Sequence, residues 1–432
     1  MKKRRAVITG IGIISPNGIG KKVFWDALKS GKSGIKKISS FDVSNYSCQI
    51  AGEVSNFDPR DYLEKKEVKR MVRISQFAVA AARMAMKDAG YGPDFPSDSI
   101  CCVTLGVTTG TAMDQFEKEY PIFLKNGPSS VTPFGAAISS PNAGVSEIAN
   151  SLNVPTIQKN FSNDCTSGID AIAYTAELIK KGEISVGICG GNECPITPIV
   201  LASFCRSGLI PHNWPGRPEE ASRPFDLKRC GGVLAEGAAI FILEEKEKAL
   251  RRGAKIYGEI IGHGCSGIQG GFCYKGFEGI SRMRQSNNNN KENGIVDAME
   301  KAIFAGLVSP LAVDYISAHA PSDPQIDVLE TKAIKKLFGE RAYRIPVSSV
   351  KSMVGSSMTA AGVLQVASVL LAFQEGIIAP TINYQYPDPE CDLDYVPNKA
   401  RHNEIEFALV NSHGLGGGNS SLLMKKVDNS QL

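Results

Sequence analysis

Short β-branched and apolar runs alternate along the chain with stretches whose apolar positions recur every three to four residues, a pattern that predicts α/β layers. Residues 6–14 read as a strand entering a turn at Pro16, Asn17 and Gly18. Small apolar residues at helical spacing over 75–90, closed by Gly90, predict a buried helix. A strand is expected at 99–106. A helix over 170–182 follows the turn Asn163-Asp164-Cys165-Thr166-Ser167-Gly168, then strands at 185–190 and 237–245 and a charged helix at 246–253. The pattern restarts with a strand at 255–263 and a long glycine-rich loop ending in the asparagine tract 287–290. Helix 295–306, strand 313–317, helix 327–338, strand 345–349, helix 359–374 and strand 407–411 come next, and the glycine loop 413–418 closes the series. Two successive α/β halves, 1–254 and 255–432, fit this count, although no close repeat relates their sequences.

At 432 residues the chain exceeds the usual limit for one core, which agrees with two cores or two fused halves. Its 43 glycines, without a repeat, suggest many close backbone approaches. A net charge of +4, with acids and bases interspersed and no basic run with interleaved aromatics, argues against nucleic acid as a partner. The eleven cysteines are scattered without a CxxC pair, and the five histidines do not cluster with them, so no metal site is expected. An odd cysteine count without a secretory signal reads as reduced thiols in a cytoplasm. Lys2, Lys3, Arg4 and Arg5 precede an apolar stretch, but Thr9, Gly10 and Gly12 interrupt it, as suits a first strand better than a signal peptide. No stretch approaches the ~18 apolar residues of a membrane span.

Cys165 stands apart from the other cysteines because it lies between a strand and the start of a helix. There, unpaired backbone N–H groups and the helix dipole are expected to lower its pKa and to hold the oxygen of a tetrahedral intermediate. The plain alternative is a buried structural thiol. His319 lies just past a strand end, where ligand sites of α/β sheets gather. Lys351 also follows an apolar strand, and Asp327 and Glu330 share a helix face that could hold it inside the protein. Gly10-Ile11-Gly12 lacks the third glycine of a dinucleotide loop, with Ser15 in its place. The loop Gly414-Leu415-Gly416-Gly417-Gly418 would let main-chain amides approach a reacting carbonyl, or is simply a tight turn.

Taken together, these blocks resemble the elongating β-ketoacyl-[acyl carrier protein] synthases of the thiolase superfamily. The likeness runs from Val7-Ile8-Thr9-Gly10-Ile11-Gly12 to Ser421-Leu422-Leu423. It includes Asp164-Cys165-Thr166-Ser167-Gly168, Gly190-Gly191-Asn192-Glu193, Ala221-Ser222-Arg223-Pro224-Phe225-Asp226, Val347-Ser348-Ser349-Val350-Lys351-Ser352-Met353 and Pro380-Thr381-Ile382-Asn383. The resemblance implies a five-layered αβαβα fold of two similar halves, usually a homodimer, with a heterodimer of two synthase-like chains as the other arrangement. It implies Cys165 as nucleophile, His319 as the first active-site histidine, Lys351 as the motif lysine and Glu330 as its acidic neighbour. The chain itself would bind no cofactor, because phosphopantetheine arrives on the acyl carrier protein. The acyl group would pass to Cys165, and decarboxylation of malonyl thioester would supply the carbanion for condensation, in fatty-acid, specialised-lipid or polyketide synthesis.

Departures from the family pattern fall on the chemistry. Ser356 stands where the family has its second histidine, and removing one oxyanion donor costs roughly 10²–10³ in rate. Pro321 and Asp323 replace two threonines that hold pantetheine. Leu415, beside Gly416, replaces the aromatic gate, Gly232 replaces another aromatic and Cys230 an acid, which together imply a wider or reshaped acyl pocket. His413, in place of a phenylalanine, is a candidate for the missing imidazole. Two other readings remain: an acyltransferase or thioesterase that never condenses, and a chain-length-controlling partner subunit, a kind that usually lacks the nucleophile. For an acidic carrier, Lys65, Lys66, Lys69, Arg70 and Arg73 form a candidate basic cluster, with Arg206 in a second loop.

Overall fold

The computed structural model describes residues 4–92, 100–152, 154–268 and 291–428. The asparagine tract and most of the glycine-rich segment before it lie outside the described residues. Ten strands carry the architecture: β1 (Ala6–Ser15), β2 (Cys101–Gly106), β3 (Thr156–Phe161), β4 (Val186–Glu193), β5 (Gly237–Glu245), β6 (Gly258–Gly267), β7 (Tyr315–Ser317), β8 (Val347–Ser348), β9 (Phe407–His413) and β10 (Gly418–Lys425). The helices that matter for the site are α1 (Lys65–Arg70), α2 (Arg73–Asp88), α3 (Gly110–Asn126), α4 (Ala143–Ser151), α5 (Ser167–Lys181), α6 (Pro198–Ser207), α7 (Glu292–Ala305), α8 (Ile326–Phe338) and α9 (Thr359–Glu375).

The strands follow one path, β3-β2-β4-β5-β1-β6-β10-β9-β7-β8. Read outward from the centre, both halves have the same order and the same directions. In each, the first strand pairs antiparallel with the fifth, the fifth antiparallel with the fourth, and the remaining pairs are parallel. The repeat that is invisible in the sequence is therefore plain in the topology. The two first strands, β1 and β6, pair through Ala6–Ile260, Val7–Glu259 and Ile8–Gly258, so the sheet runs unbroken past residue 254.

Five layers follow from which residues face which way. Along β5, Ala238, Ile240 and Ile242 pack into one core with α2, while Ala239, Phe241 and Leu243 pack into another with α5 and α9. A strand buried on both faces loses the alternation of polar and apolar positions, and this one reads as a continuous apolar run. Helices α2 and α4 cover the outer face of the first half, α7 and α8 that of the second, and α5 and α9 fill the middle. The middle core is common to both halves, because it also takes in Ala408, Val410, Leu422 and Met424. Helix α9 is buried on every side from Thr359 to Phe373, as a helix between two sheets must be. Glycine is required where α2 presses on β1: a Cβ at Gly12 would lie 1.9 Å from the Ala81 carbonyl oxygen, and one at Gly10 2.2 Å from that of Ala85. The Gly-x-Gly pair thus serves helix–strand packing inside a strand.

Burial sets an alkaline limit to stability. It pushes the thiol of Cys48 up to about 11 and those of Cys101, Cys102 and Cys391 up to about 12, from 9.0. Each thiol is therefore neutral in the fold at pH values where the unfolded chain would ionise it. Their contribution to stability is complete below pH 9 and is lost as pH rises toward 12. Thermal midpoints measured from pH 7 to 11 are expected to hold to about pH 9 and then fall.

Candidate active site

Strand β3 ends at Phe161, and the chain reverses into α5 through a single turn of 3₁₀ helix at Asp164–Thr166. Asp164 takes a left-handed φ of 60°, a conformation open to aspartate more than to most residues. Side chains lock the turn: Ser167 Oγ accepts from the Asn163 N–H at 2.7 Å and donates to the Asp164 carbonyl at 2.6 Å. Gly168 seats the turn against α9, since a Cβ there would lie 2.8 Å from the Thr359 carbonyl. From the other half, Ser412 Oγ donates to the Cys165 carbonyl at 2.8 Å. The Cys165 turn is thus fixed by both halves of the molecule.

The second half supplies the remaining groups from its strand ends. His319 follows β7, and its N–H donates to Glu330 Oε1 at 2.9 Å, while the Ala320 N–H donates to Oε2 at 2.8 Å. Lys351, fully buried, donates from Nζ to the His319 carbonyl at 2.6 Å and to Gln365 Oε1 at 2.7 Å. Gln365 in turn donates to the carbonyls of Ser317, Ala318 and Asn411. His413 ends β9 with its ring edge-on to His319, the centroids 5.1 Å apart and the planes at 63°. Its Nε2 lies 3.6 Å from Glu330 Oε1, and neither of its ring nitrogens, nor His319 Nδ1, has a hydrogen-bond partner. Unpartnered buried nitrogens are costly and point to a ligand that satisfies them.

Cys165, His319, His413, Ser356, Gly232, Pro321, Asp323 and Leu415 all line one cavity, closed by Phe204, Leu209, Met358 and others. Its volume is only about 60 Å³, room for roughly two waters. The acyl pocket, expected to be wider or reshaped, is narrow here, with Leu415 on its wall. Gly232 still matters, because a Cβ there would meet Pro321 O at 3.1 Å and Ser356 Cβ at 3.5 Å, so a larger side chain would crowd the cavity wall. Gly416 faces a different space, a cleft of about 850 Å³ lined also by Asp164, Asp170, Tyr174 and His263.

Three more expectations need correction. The Cys165 thiol is not lowered by its place before a helix: burial, then the neighbouring Asp164 carboxylate, push it well above its ordinary value, with Lys351 only partly opposing. Helix-end amides cannot offset the loss of solvent around the thiol of a residue that is 7% exposed. Asp327 and Glu330 do not grip Lys351 directly. Asp327 accepts from the Phe225 and Asp323 N–H groups, and Glu330 is spent on the His319 and Ala320 N–H groups and on Asn411 Nδ2. Finally, Arg73 leaves the basic cluster, because its guanidinium is paired with Glu236. Lys65, Lys69 and Arg70 are exposed on α1, Arg70 at 3.2 Å from Glu147 and Lys66 at 3.1 Å from Glu64. Arg206 is exposed on α6, two residues from Phe204 of the cavity wall.

The charges in the site divide its labour. Burial, with Lys351 and His413 alongside, holds His319 neutral, well below its ordinary value. Burial also brings Lys351 down to about 8 against the pull of Glu330, so it remains mostly charged at neutral pH. Burial pushes the Glu330 carboxyl up, but the His413 ring and the two backbone donors outweigh it and keep it below its usual range. Two contributors escaped the sequence reading. Gln365 was signalled as one amide within the otherwise apolar run of α9, and Asp164 only by standing next to the cysteine.

A neutral imidazole donor and a second unpartnered imidazole beside a thiol, at the meeting of two matched α/β halves, define a condensing enzyme of the thiolase type. The chain belongs to the β-ketoacyl synthase family: the family's N-terminal domain matches residues 3–249 and its C-terminal domain residues 276–385. It is 38% identical over 430 residues to 3-oxoacyl-[acyl-carrier-protein] synthase 2 of Coxiella burnetii, covering 99% of this chain and all of that one. Among solved structures it is similar to the ishigamide ketosynthase/chain length factor, with 30% identity and a TM-score of 0.86 over 99% of this chain and all of that one. It is also similar to a type II polyketide synthase ketosynthase solved bound to the hexaketide with its acyl-carrier protein, with 29% identity and a TM-score of 0.85 over the same shares.

Proposed function

We propose that this synthase loads an acyl group from a carrier protein's phosphopantetheine onto Cys165 and condenses it with malonyl thioester. The observation that carries the reading is the placement of His319 and His413 together on the wall of the Cys165 cavity with ring nitrogens unpartnered. Loss of carbon dioxide from malonyl thioester puts negative charge on the thioester oxygen, and two N–H donors fixed in a dry site stabilise that enolate. His319 suits the role because it is neutral and its backbone is pinned by Glu330. His413 supplies a second ring donor on the wall that it shares with Ser356, whose side chain is shorter than an imidazole. A narrow, largely apolar cavity around Cys165 also leaves little room for water at the acyl thioester, which favours condensation over thioesterase action. Retention of Cys165 weighs against a purely chain-length-controlling role.

The test is carbon dioxide release by pre-acylated protein given malonyl-carrier, together with formation of the 3-oxoacyl product. Acyl uptake with no carbon dioxide would leave only a transferase. His413→Phe, which keeps the ring volume and removes the donor, is expected to slow decarboxylation by roughly 10²–10³-fold while leaving acyl loading of Cys165 nearly intact. Single-turnover assays of the two steps check this.

The exposed charges of Lys65, Lys69, Arg70 and Arg206 support docking of an acidic carrier. Reversing Lys69 and Arg70 to glutamate is expected to slow transfer from the carrier about tenfold at low salt and to leave a small-molecule thioester donor unaffected. Among the described residues the outer edge of β3 has no pairing strand, and α3 exposes Phe116, Tyr120 and Leu124, a combination that supports pairing with a second chain, as a homodimer or with a related synthase. The eleven cysteines, scattered through the sequence without a CxxC pair, support a reducing cytoplasm. Among the described residues no helix is long and apolar enough to cross a membrane.

A further inference from the structure

Loading Cys165 requires its sulfur to lose a proton, and the site keeps that proton on. His319 is a poor acceptor, since burial and the nearby Lys351 charge disfavour its protonated form. The side chain that meets the thiol is Asp164, whose Oδ1 lies 3.7 Å from Sγ, a sulfur hydrogen-bond length. Its other oxygen, Oδ2, accepts from the Leu415 N–H of the glycine turn that roofs the cavity. The carboxylate is thus held at one end by the roof and turned at the other toward the nucleophile. The left-handed φ of 60° at Asp164 places it there, an unusual backbone conformation of the sort that gathers at functional sites.

We propose that Asp164 is the proton-transfer residue of acyl loading, taking the Cys165 proton on Oδ1 and returning it to the departing pantetheine sulfur. The step rests on the loading reading above. Sγ attacks the thioester carbonyl as its proton moves to Oδ1, and a Cys165–acyl thioester bond forms. The bond from acyl carbon to pantetheine sulfur breaks, and the proton on Oδ1 neutralises the leaving thiolate. Nothing is oxidised or reduced, and the carboxylate is regenerated. Geometry and chemistry agree, because burial raises the Asp164 carboxyl above its ordinary 3.8 and makes it a stronger base than a surface carboxylate.

The charged groups around Sγ are Asp164 on its own turn, Lys351 before α9 and Glu193 at the end of β4. Asp164 and Glu193 push the thiol up and Lys351 pulls it down. Asp164→Asn keeps the size and can still accept from the Leu415 N–H through its amide oxygen, but it cannot take a proton. Single-turnover loading from acyl-carrier is expected to fall about 100-fold. Alkylation of Cys165 by iodoacetamide at pH 8, followed by peptide mass spectrometry, is expected to speed up, because a negative charge beside the sulfur is gone. A merely structural role would move both readouts the same way or neither, and either result overturns the proposal. Asp164→Glu, which restores a carboxylate, is expected to recover part of the loading rate, and recovery no greater than in the asparagine variant overturns it. Should the variants fail to fold, loading by the native protein decides: a rate that does not fall as pH is lowered until carboxylates are protonated removes the carboxylate base. Failure of the loading reading is a different result, a native protein that takes up no acyl group at all.

Discussion

Cys165→Ala is expected to take up no acyl group from any carrier thioester and to lose condensation by about 10⁶-fold, the scale on which removal of a covalent nucleophile acts. None of the other nine described cysteines lines the cavity. The substitution is structurally mild. It removes one sulfur from a cavity wall and breaks only the contact with Asp164, while the Cys165 carbonyl keeps its bond from Ser412. Intact-protein mass spectrometry with a panel of acyl-carriers reads the loss directly, and unfolding midpoints close to those of the native chain exclude a collapsed fold. An alanine variant that still gained acyl mass would place the nucleophile elsewhere.

Glu330→Ala is expected to be the most damaging single change to stability within the site, at about 3–5 kcal/mol. The carboxylate is wholly buried and accepts from the His319 and Ala320 N–H groups and Asn411 Nδ2, with the His413 ring 3.6 Å away. It is also the chief negative charge acting on buried Lys351. Alanine leaves two backbone donors without an acceptor and a buried cation without its counter-charge. Urea unfolding is expected to show a lower midpoint, and decarboxylation is expected to fall as well, since the His319 backbone loses its anchor. Glu330→Gln, which keeps the shape and an acceptor, should be milder in both assays. Activity lost with full stability would show that Glu330 acts on the reaction alone.

Much of the fold was legible because apolar runs with sharp boundaries leave little choice. Strand β5 is found at the expected 237–245, between a glycine and a charged exit. Strand β3, anticipated before Cys165, has no bounds legible in the sequence because Gln158 and Lys159 on an exposed sheet edge break any apolar run, and α3 is hidden because Pro121 sits within it. Strand β10 was missed because the glycine turn before it reads as an ending, and His413 proved to be the last residue of β9. At the site, eight of the anticipated residues share one cavity because each was read from a block tied to a strand end or turn. What the sequence could not carry was solvation. The state of the Cys165 thiol, the size of the cavity and the partners of Lys351 depend on which atoms exclude water, and that is settled by packing between segments remote in the chain.

The short seam between β1 and β6 has one more consequence. Cys165 comes from one half of the molecule, His319, Lys351 and His413 from the other, and three residue pairs stitch the two sheets together at that seam. A chain cut at residue 254 would strip each half of its catalytic complement and lay bare the open flank of an apolar strand. Separately made halves should therefore be inert and prone to clump, and activity is expected only from the full pair.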